Sequence, residues 1–142
     1  AYDLRNSASA VNRGVEYQLS WRSAGGTLVS WNQYFARPQA SPAVIAQTIA
    51  RRSTGLLASH AWPLGWTTGL GYTRMSSLRW LGEPTQVGAQ RFASLRVARS
   101  LRVNGSHVNV AVRWFQPLGQ SDEFRELQRE RRKLWLAVSL EY

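Results

Sequence analysis

Arg132-Lys133-Leu134-Trp135-Leu136-Ala137-Val138-Ser139-Leu140-Glu141-Tyr142 alternates apolar with other side chains without a break and closes on an aromatic residue. Successive side chains of an extended chain point to opposite faces, so Leu134, Leu136, Val138, Leu140 and Tyr142 form one apolar stripe and Trp135, Ala137, Ser139 and Glu141 line the other side. A soluble sheet turns such a stripe toward a core; a membrane barrel turns it toward lipid. The rest of the chain has to decide between them.

The same period recurs upstream. Arg13–Arg22 sets Val15, Tyr17, Leu19 and Trp21 against Glu16, Gln18, Ser20 and Arg22, and Thr27–Arg37 puts Val29, Trp31 and Phe35 together. Ser53–Trp62 has Leu56, Ala58, His60 and Trp62 as its outer set, and Trp66–Arg74 alternates Trp66, Thr68, Leu70 and Tyr72 with Thr67, Gly69, Gly71 and Thr73. A face of Thr and Gly is too small and polar for an ordinary core. Arg91–Leu101 sets Ala93, Leu95 and Val97 against Ser94, Arg96 and Ala98; His107–Gln116 sets Val108, Val110, Val112 and Trp114 against Asn109, Ala111, Arg113 and Phe115. With the C-terminal segment these make about seven strands.

Connection lengths alternate as well. Ser23–Gly26, Pro63–Gly65 and Arg102–Ser106 are short and rich in Gly, Asn and Pro, as hairpin turns require. Pro38–Arg52, Met75–Gln90 and Pro117–Glu130 are long. Short turns on one side and long loops on the other is the layout of an outer-membrane barrel. The expected fold is therefore all-β: an antiparallel transmembrane β-barrel segment with short periplasmic turns and long extracellular loops. Membrane proteins gather Trp and Tyr at both water interfaces. Trp21, Trp62, Trp66 and Tyr142 fall near the expected periplasmic ends, and Trp114 and Tyr72 nearer the loops.

Composition sets outer bounds. The chain has 142 residues, a formal charge of +10 from 17 Arg, one Lys and eight acids, and no cysteine, which excludes disulfides, thiolate zinc sites and cysteine nucleophiles. No run of about 18 apolar residues offers a transmembrane helix. Ala1–Asn6 reads like the middle of a chain, so residues 1–12 are expected to lead in from a missing upstream barrel and residues 13–142 to form C-terminal barrel strands.

Several motifs resemble those of TonB-dependent outer-membrane receptors. Arg13-Gly14-Val15-Glu16 resembles that family's Arg-Gly-Val-Glu strand opening, and Arg91-Phe92-Ala93-Ser94-Leu95-Arg96-Val97-Ala98 is similar to its Arg-Leu-Asp-Leu-Arg-Leu-Ala strand, with Ser94 in place of the usual Asp. His107–Leu118 looks like the family's penultimate strand but ends in Gln116-Pro117-Leu118 rather than Gln-Asn-Leu. Glu123-Phe124-Arg125, Arg131-Arg132-Lys133-Leu134-Trp135-Leu136 and a terminal Tyr142 in place of Phe follow in order. The resemblance implies the last seven or so strands of a plugged barrel in the bacterial outer membrane, for which 22 strands is typical. It further implies import of a scarce nutrient such as a ferric siderophore. The implied partners are outer-membrane lipid and lipopolysaccharide, the missing N-terminal barrel and plug, a TonB-type energy-coupling protein reached through that missing part, and the barrel-assembly machinery.

An enzyme is not expected. His60 and His107 are the only histidines and lie on different turns, and neither Asp3 nor Asp122 sits near a Ser or His in a recognisable motif, so no triad, metal site or cofactor is expected. Glu16, Gln18, Arg22, Arg96, Asn109, Arg113 and Glu141 fall on the expected lumen face, while Arg51, Arg52, Arg74, Arg79, Arg125, Arg129, Arg131 and Arg132 gather toward the loops. These cations form either a vestibule for an anionic chelate, a rim for lipopolysaccharide phosphates, or solvated charge paired with Glu123, Glu126 and Glu130. Arg74, Arg79, Trp80 and Arg113 are the ligand-binding candidates, although packing beneath the loop is favoured for Leu78, Trp80 and Leu81. Ser121–Arg132 is either a short helix or an extension of the last hairpin, and residues 43–49 are a helical turn or a continued strand. Two other classes remain open: a small self-contained barrel acting as adhesin or pore, and a soluble basic all-β module binding nucleic acid. No nucleic-acid partner is expected, because the aromatics are read as lying at strand ends and on the apolar faces rather than interleaved with Arg on one face.

Leu136, Val138, Leu140 and Tyr142 are the expected assembly signal, read by strand addition at a free edge. Replacing Tyr142 by Asp in the full-length precursor should lower the heat-modifiable barrel in outer membranes without changing synthesis, whereas Trp135→Ser, on the other face, should matter much less. The ratio of heat-modified to unmodified band on gels is the readout.

Overall fold

In the computed structural model, which describes residues 9–41, 43–79, 86–118 and 132–141, the alternating segments form one seven-stranded antiparallel sheet. Its strands are β1 (Ser9–Arg22), β2 (Thr27–Ser41), β3 (Arg52–Ala61), β4 (Trp66–Met75), β7 (Gln90–Val103), β8 (Ser106–Pro117) and β9 (Lys133–Glu141), hydrogen-bonded in that order. Strands β5 (Leu78–Arg79) and β6 (Gln86–Val87) form a separate small hairpin between β4 and β7, and helix α1 (Ala43–Gln47) lies between β2 and β3. Every sheet neighbour is the next long strand in sequence, so hairpins alone build it.

Two strands run further than alternation alone indicates. β1 starts at Ser9 and β2 continues to Ser41, because Ser9–Gly14 pair in register with Ala36–Ser41 above the level where β3 ends. Pro38 falls where β2 has a partner on one side only, a position a sheet tolerates for a residue without an N–H. Within the 43–49 segment the helical turn is realised, ending where the Thr48 amide and hydroxyl both donate to the Ile45 carbonyl. In the next long connection half-buried Leu78 pairs with Val87, whose side chain is buried; Trp80 and Leu81 lie outside the described residues. The 121–132 helix expectation falls outside them too, save for Arg132, which is not helical.

Turn chemistry explains the short connections. Asn104 (φ 49°) and Gly105 (φ 88°) join β7 to β8 as a two-residue turn with both φ positive, the handedness that matches strand twist. The β3–β4 turn carries Leu64 (φ 61°) and Gly65 (φ 75°), and a Cβ on Gly65 would run into the Ser100 carbonyl of β7. In the first turn Gly26 (φ 81°) follows a Ser23 hydroxyl that accepts from the Thr27 amide.

The three turns do not lie on one row of the ladder. Thr27, His60, Thr68 and Val97 are mutually paired across β2, β3, β4 and β7; the first turn begins at that row, the second two residues beyond it, and the third six residues beyond it at Val103. Six residues at ~3.3 Å each, over four strand spacings of ~4.8 Å, put the strands at about 45° to the line of the turns. A tilt of that size is within the range that strands of closed barrels show. The sheet is nevertheless not closed: β1 pairs only with β2, and β9 only with β8.

No core exists among the described residues. The only buried apolar side chains are Ala36, Ala46, Val87 and Ala98, and none of the large ones is fully buried. Leu136, Leu19 and Val15 are 70%, 59% and 65% exposed. The sheet therefore has two open faces, and register fixes which residues each carries. Val15, Leu19, Val108, Val110, Val112, Leu136, Val138 and Leu140 share one; Glu16, Gln18, Asn109, Arg113 and Ser139 share the other.

Gly105 and Gly65 separate backbone strain from collision. Gly105→Ala, with open space around its Cβ, should cost about 1–2 kcal/mol from the left-handed backbone alone. Gly65→Ala adds the clash with Ser100 and should cost roughly twice that. Urea midpoints of the two variants and the parent check the order.

Candidate functional site

The polar face is built from small residues in rows across the sheet. One row runs Ser59, Gly69, Arg96, Arg113, Trp135; the next toward the turns runs Ala61, Thr67, Ala98, Ala111, Ala137; the next toward the loops runs Ser30, Leu57, Gly71, Ser94, Phe115, Lys133. Glycine is required in two places on this face. A Cβ on Gly71 would come within 2.5 Å of the Ser94 hydroxyl, and one on Gly55 would collide with the Asn32 side chain. These low rows leave a trough of about 730 Å³ over β3, β4, β7, β8 and β9, and a second of about 410 Å³ beside it over β1, β2, β3, β4, β7 and β8.

Arg96 and Arg113 stand directly opposite each other in the larger trough. Like charges opposed across a ladder repel, and among the described residues neither has an acidic partner. The residues lining that trough include no acid. Asn109, paired with Ser100 and Ser139, presents a buried Oδ1 with no hydrogen-bond partner at the same wall. Beside the guanidinium pair runs an aromatic ladder: Phe92 stacks on Phe115 at 5.3 Å between ring centroids, and Phe115 meets Trp135 at 6.4 Å. The described part of this face carries Arg22, Arg96, Arg102, Arg113 and Lys133 against Glu16 and Glu141, so its field is positive.

The sequence candidates do not converge. Arg113 is in the trough, but Arg74 pairs with Thr54 and Arg91 on the opposite, apolar face at the loop end. Arg79 sits on the small β5–β6 hairpin, paired with Gln86. Trp80 and Tyr142 are outside the described residues. Arg74, Arg79 and Arg113 therefore do not form one site, because the sheet separates Arg74 from Arg113. The residue that does join Arg113 is Arg96, which alternation placed on the right face without its partner; strand pairing was the missing signal. Phe92, Phe115 and Trp135 also share the Arg96–Arg113 face, so aromatic rings and guanidiniums are interleaved there, contrary to the expectation from the Trp and Tyr positions.

The expected interface aromatics fall at the strand ends. Trp21 is the penultimate residue of β1, and Trp62 and Trp66 flank the β3–β4 turn, where the Trp62 Nε1 donates to Thr68 Oγ1 (2.8 Å) and its ring meets His60 edge-on at 4.3 Å. Trp66 lies under the Arg99 guanidinium at 5.1 Å, an arrangement that holds a cation on the otherwise apolar face. Tyr72 and Trp114 each lie three residues from the loop ends of β4 and β8. Leu136, Val138 and Leu140 form the exposed apolar stripe of the open β9 edge. Among the described residues no three His, Asp or Glu side chains gather as a metal site, and no helix is long and apolar enough to cross a membrane. No family model matches the chain, nor does any curated protein or solved structure.

Removing half of the guanidinium pair should help the fold while harming the trough. Arg96→Ser is expected to raise unfolding stability by about 0.2–1 kcal/mol through loss of like-charge opposition. It should also lower retention of small anions by the folded protein, and chemical denaturation with equilibrium dialysis reads both effects.

Proposed function

We propose that this sheet is wall from the C-terminal part of a TonB-dependent outer-membrane receptor, with its apolar face against lipid and its small-residue face lining an aqueous lumen. The imported solute is an anionic chelate of a scarce nutrient, a ferric chelate foremost. One observation carries the reading: a sheet of seven strands that buries neither face, apolar on one side and small, polar and cationic on the other.

Each alternative cover for the apolar face is weaker. A soluble core would need a second layer, and the described residues supply only a five-residue helix and a two-residue hairpin. A nucleic-acid module would use the Arg96–Arg113 trough and its aromatic rings but would leave the apolar face in water. Lipid covers all of it at once. The spans are eight steps from Arg74 to Trp66, nine from Arg52 to Ala61 and ten from Arg37 to Thr27. At ~3.3 Å per residue and about 45° of tilt they rise roughly 19–23 Å, close to the apolar band of about 25 Å on an outer-membrane barrel.

This chain has no cysteine, so single cysteines introduced into it report exposure directly once any others in the full-length protein are replaced by serine. Leu136→Cys and Val138→Cys should resist a membrane-impermeant maleimide in lipid vesicles, and Ala137→Cys and Ser139→Cys should label. Equal labelling of all four would defeat the barrel. Uptake is tested separately, by accumulation of labelled ferric chelate in iron-starved cells with and without the protein. Accumulation should require the protein and stop when a protonophore collapses the membrane potential.

A further inference from the structure

The apolar face changes character at its loop end. Arg13 pairs with Arg37, Arg52 pairs with Phe35, and Arg74 pairs with Arg91. Register puts all five guanidiniums on the apolar face, and all five are exposed. No acidic residue shares that face among the described residues, since Glu16 lies on the other side of the sheet and Glu141 pairs with His107 in the polar set. Nor does any of the five have an acidic partner there. Arg52 lies over the Phe35 ring at 4.9 Å, a contact that holds the guanidinium at this level of the face.

Their positions along the strands are ordered. The Arg13–Arg37 pair lies one same-face row beyond the Phe35–Arg52 pair, and that lies one row beyond the Thr54–Arg74–Arg91 row. The belt thus steps in the same direction as the three turns, so it stays at a near-constant distance from the turn edge and marks a level. Below it come Val15 and Phe35, then Tyr17 with Gln33 and Thr54, whose polarity is turned inward by a 2.8 Å hydrogen bond from the Thr54 hydroxyl to Gln33 Oε1, and then the row Leu19, Trp31, Leu56 and Tyr72. At the opposite edge of this apolar band stand Trp21, Trp62 and Trp66 with Arg99 alone. A ligand that meets the belt while covering the band needs anionic groups next to hydrocarbon, and needs them at one boundary only.

We infer that Arg13, Arg37, Arg52, Arg74 and Arg91 bind the phosphates of lipid headgroups packed around the loop end of the sheet. This deepens the proposed function and rests on it. Guanidinium–phosphate pairs are bidentate and charge-assisted, and a row of five at one level engages neighbouring headgroups rather than one. A soluble polyanion would gain the same charge contacts but would leave the adjoining apolar band wet.

The test uses the full-length protein and a variant with Arg52→Gln, Arg74→Gln and Arg91→Gln, reconstituted into phosphatidylcholine vesicles with increasing diphosphoryl lipid A. A control variant, Arg96→Gln with Arg113→Gln, carries changes on the opposite face. Association of the lipid is read from quenching of barrel Trp fluorescence by a labelled lipid A. Each Arg near an anionic surface contributes about fivefold, so the belt variant should bind on the order of a hundredfold more weakly while the control matches the parent. Inorganic phosphate at the same phosphorus concentration should not displace the lipid. Undiminished binding by the belt variant, equal binding of dephosphorylated lipid A, displacement by phosphate, or tight binding of a short DNA duplex without lipid would each overturn the inference. If the parent inserts into plain phosphatidylcholine as a heat-modifiable species but shows no preference for lipid A, the belt fails and the barrel stands. If it inserts into neither vesicle, both fail.

Discussion

Everything in this sheet depends on the backbone ladder, because no packed core among the described residues shares the task. Fixing one residue's backbone costs about 1–2 kcal/mol, and a hydrogen bond exchanged for one with water returns a net of only about 1. In water, seven hairpin-linked strands with open faces do not balance that cost. Away from water the comparison reverses, since each unpaired N–H or C=O then costs several kcal/mol and the ladder becomes obligatory. The same inequality singles out β1 and β9: each leaves one edge unpaired, and a sheet in hydrocarbon has to pair it, with each other or with further strands.

Once the ladder fixes register, the two faces separate two kinds of chemistry. The apolar side is broken in mid-strand only by the hydrogen-bonded Gln33–Thr54 pair and small threonines, and it is graded at its ends, with tryptophans by the turns and guanidiniums by the loops. The other side is low, glycine-bearing and cationic, and its Arg96–Arg113 opposition is a local conflict that a stability-only sequence would not keep. Such conflicts are expected where a ligand or partner resolves them. An anion bridging two guanidiniums across β7 and β8 would convert the repulsion into a pair of charge-assisted contacts.

Much of this was legible from period alone. Alternation assigned each long strand's faces correctly, because a one-residue register slip would have exposed the wrong set along the whole strand. The turns were legible where Gly and Asn permit positive φ, as at Asn104-Gly105. Strand ends were less so: β2 runs through Pro38 because β3 stops at Arg52, a fact about a neighbour rather than about β2. Which arginines meet was not legible at all. Arg74 and Arg113 look alike in sequence, yet sit on opposite faces, and Arg96 meets Arg113 only through a pairing that no single strand encodes. The belt was hidden for the same reason, its members lying on five strands at positions tied only by stagger.

The contrast between an open apolar face and a glycine-bearing one sets different rules for mutation on the two sides of a single strand. A side chain against another protein surface must fit a hole of fixed shape, and one added or missing methylene is felt. Fluid hydrocarbon has no fixed holes. Leu70 in β4 would then tolerate Ile, Val or Phe at almost no cost, constrained in polarity but not in volume. Its neighbour Gly71 has no such latitude, because the Ser94 hydroxyl already occupies the space a methyl group would need. Adjacent positions on one strand would thus drift at different rates, with volume free on one parity and size locked on the other.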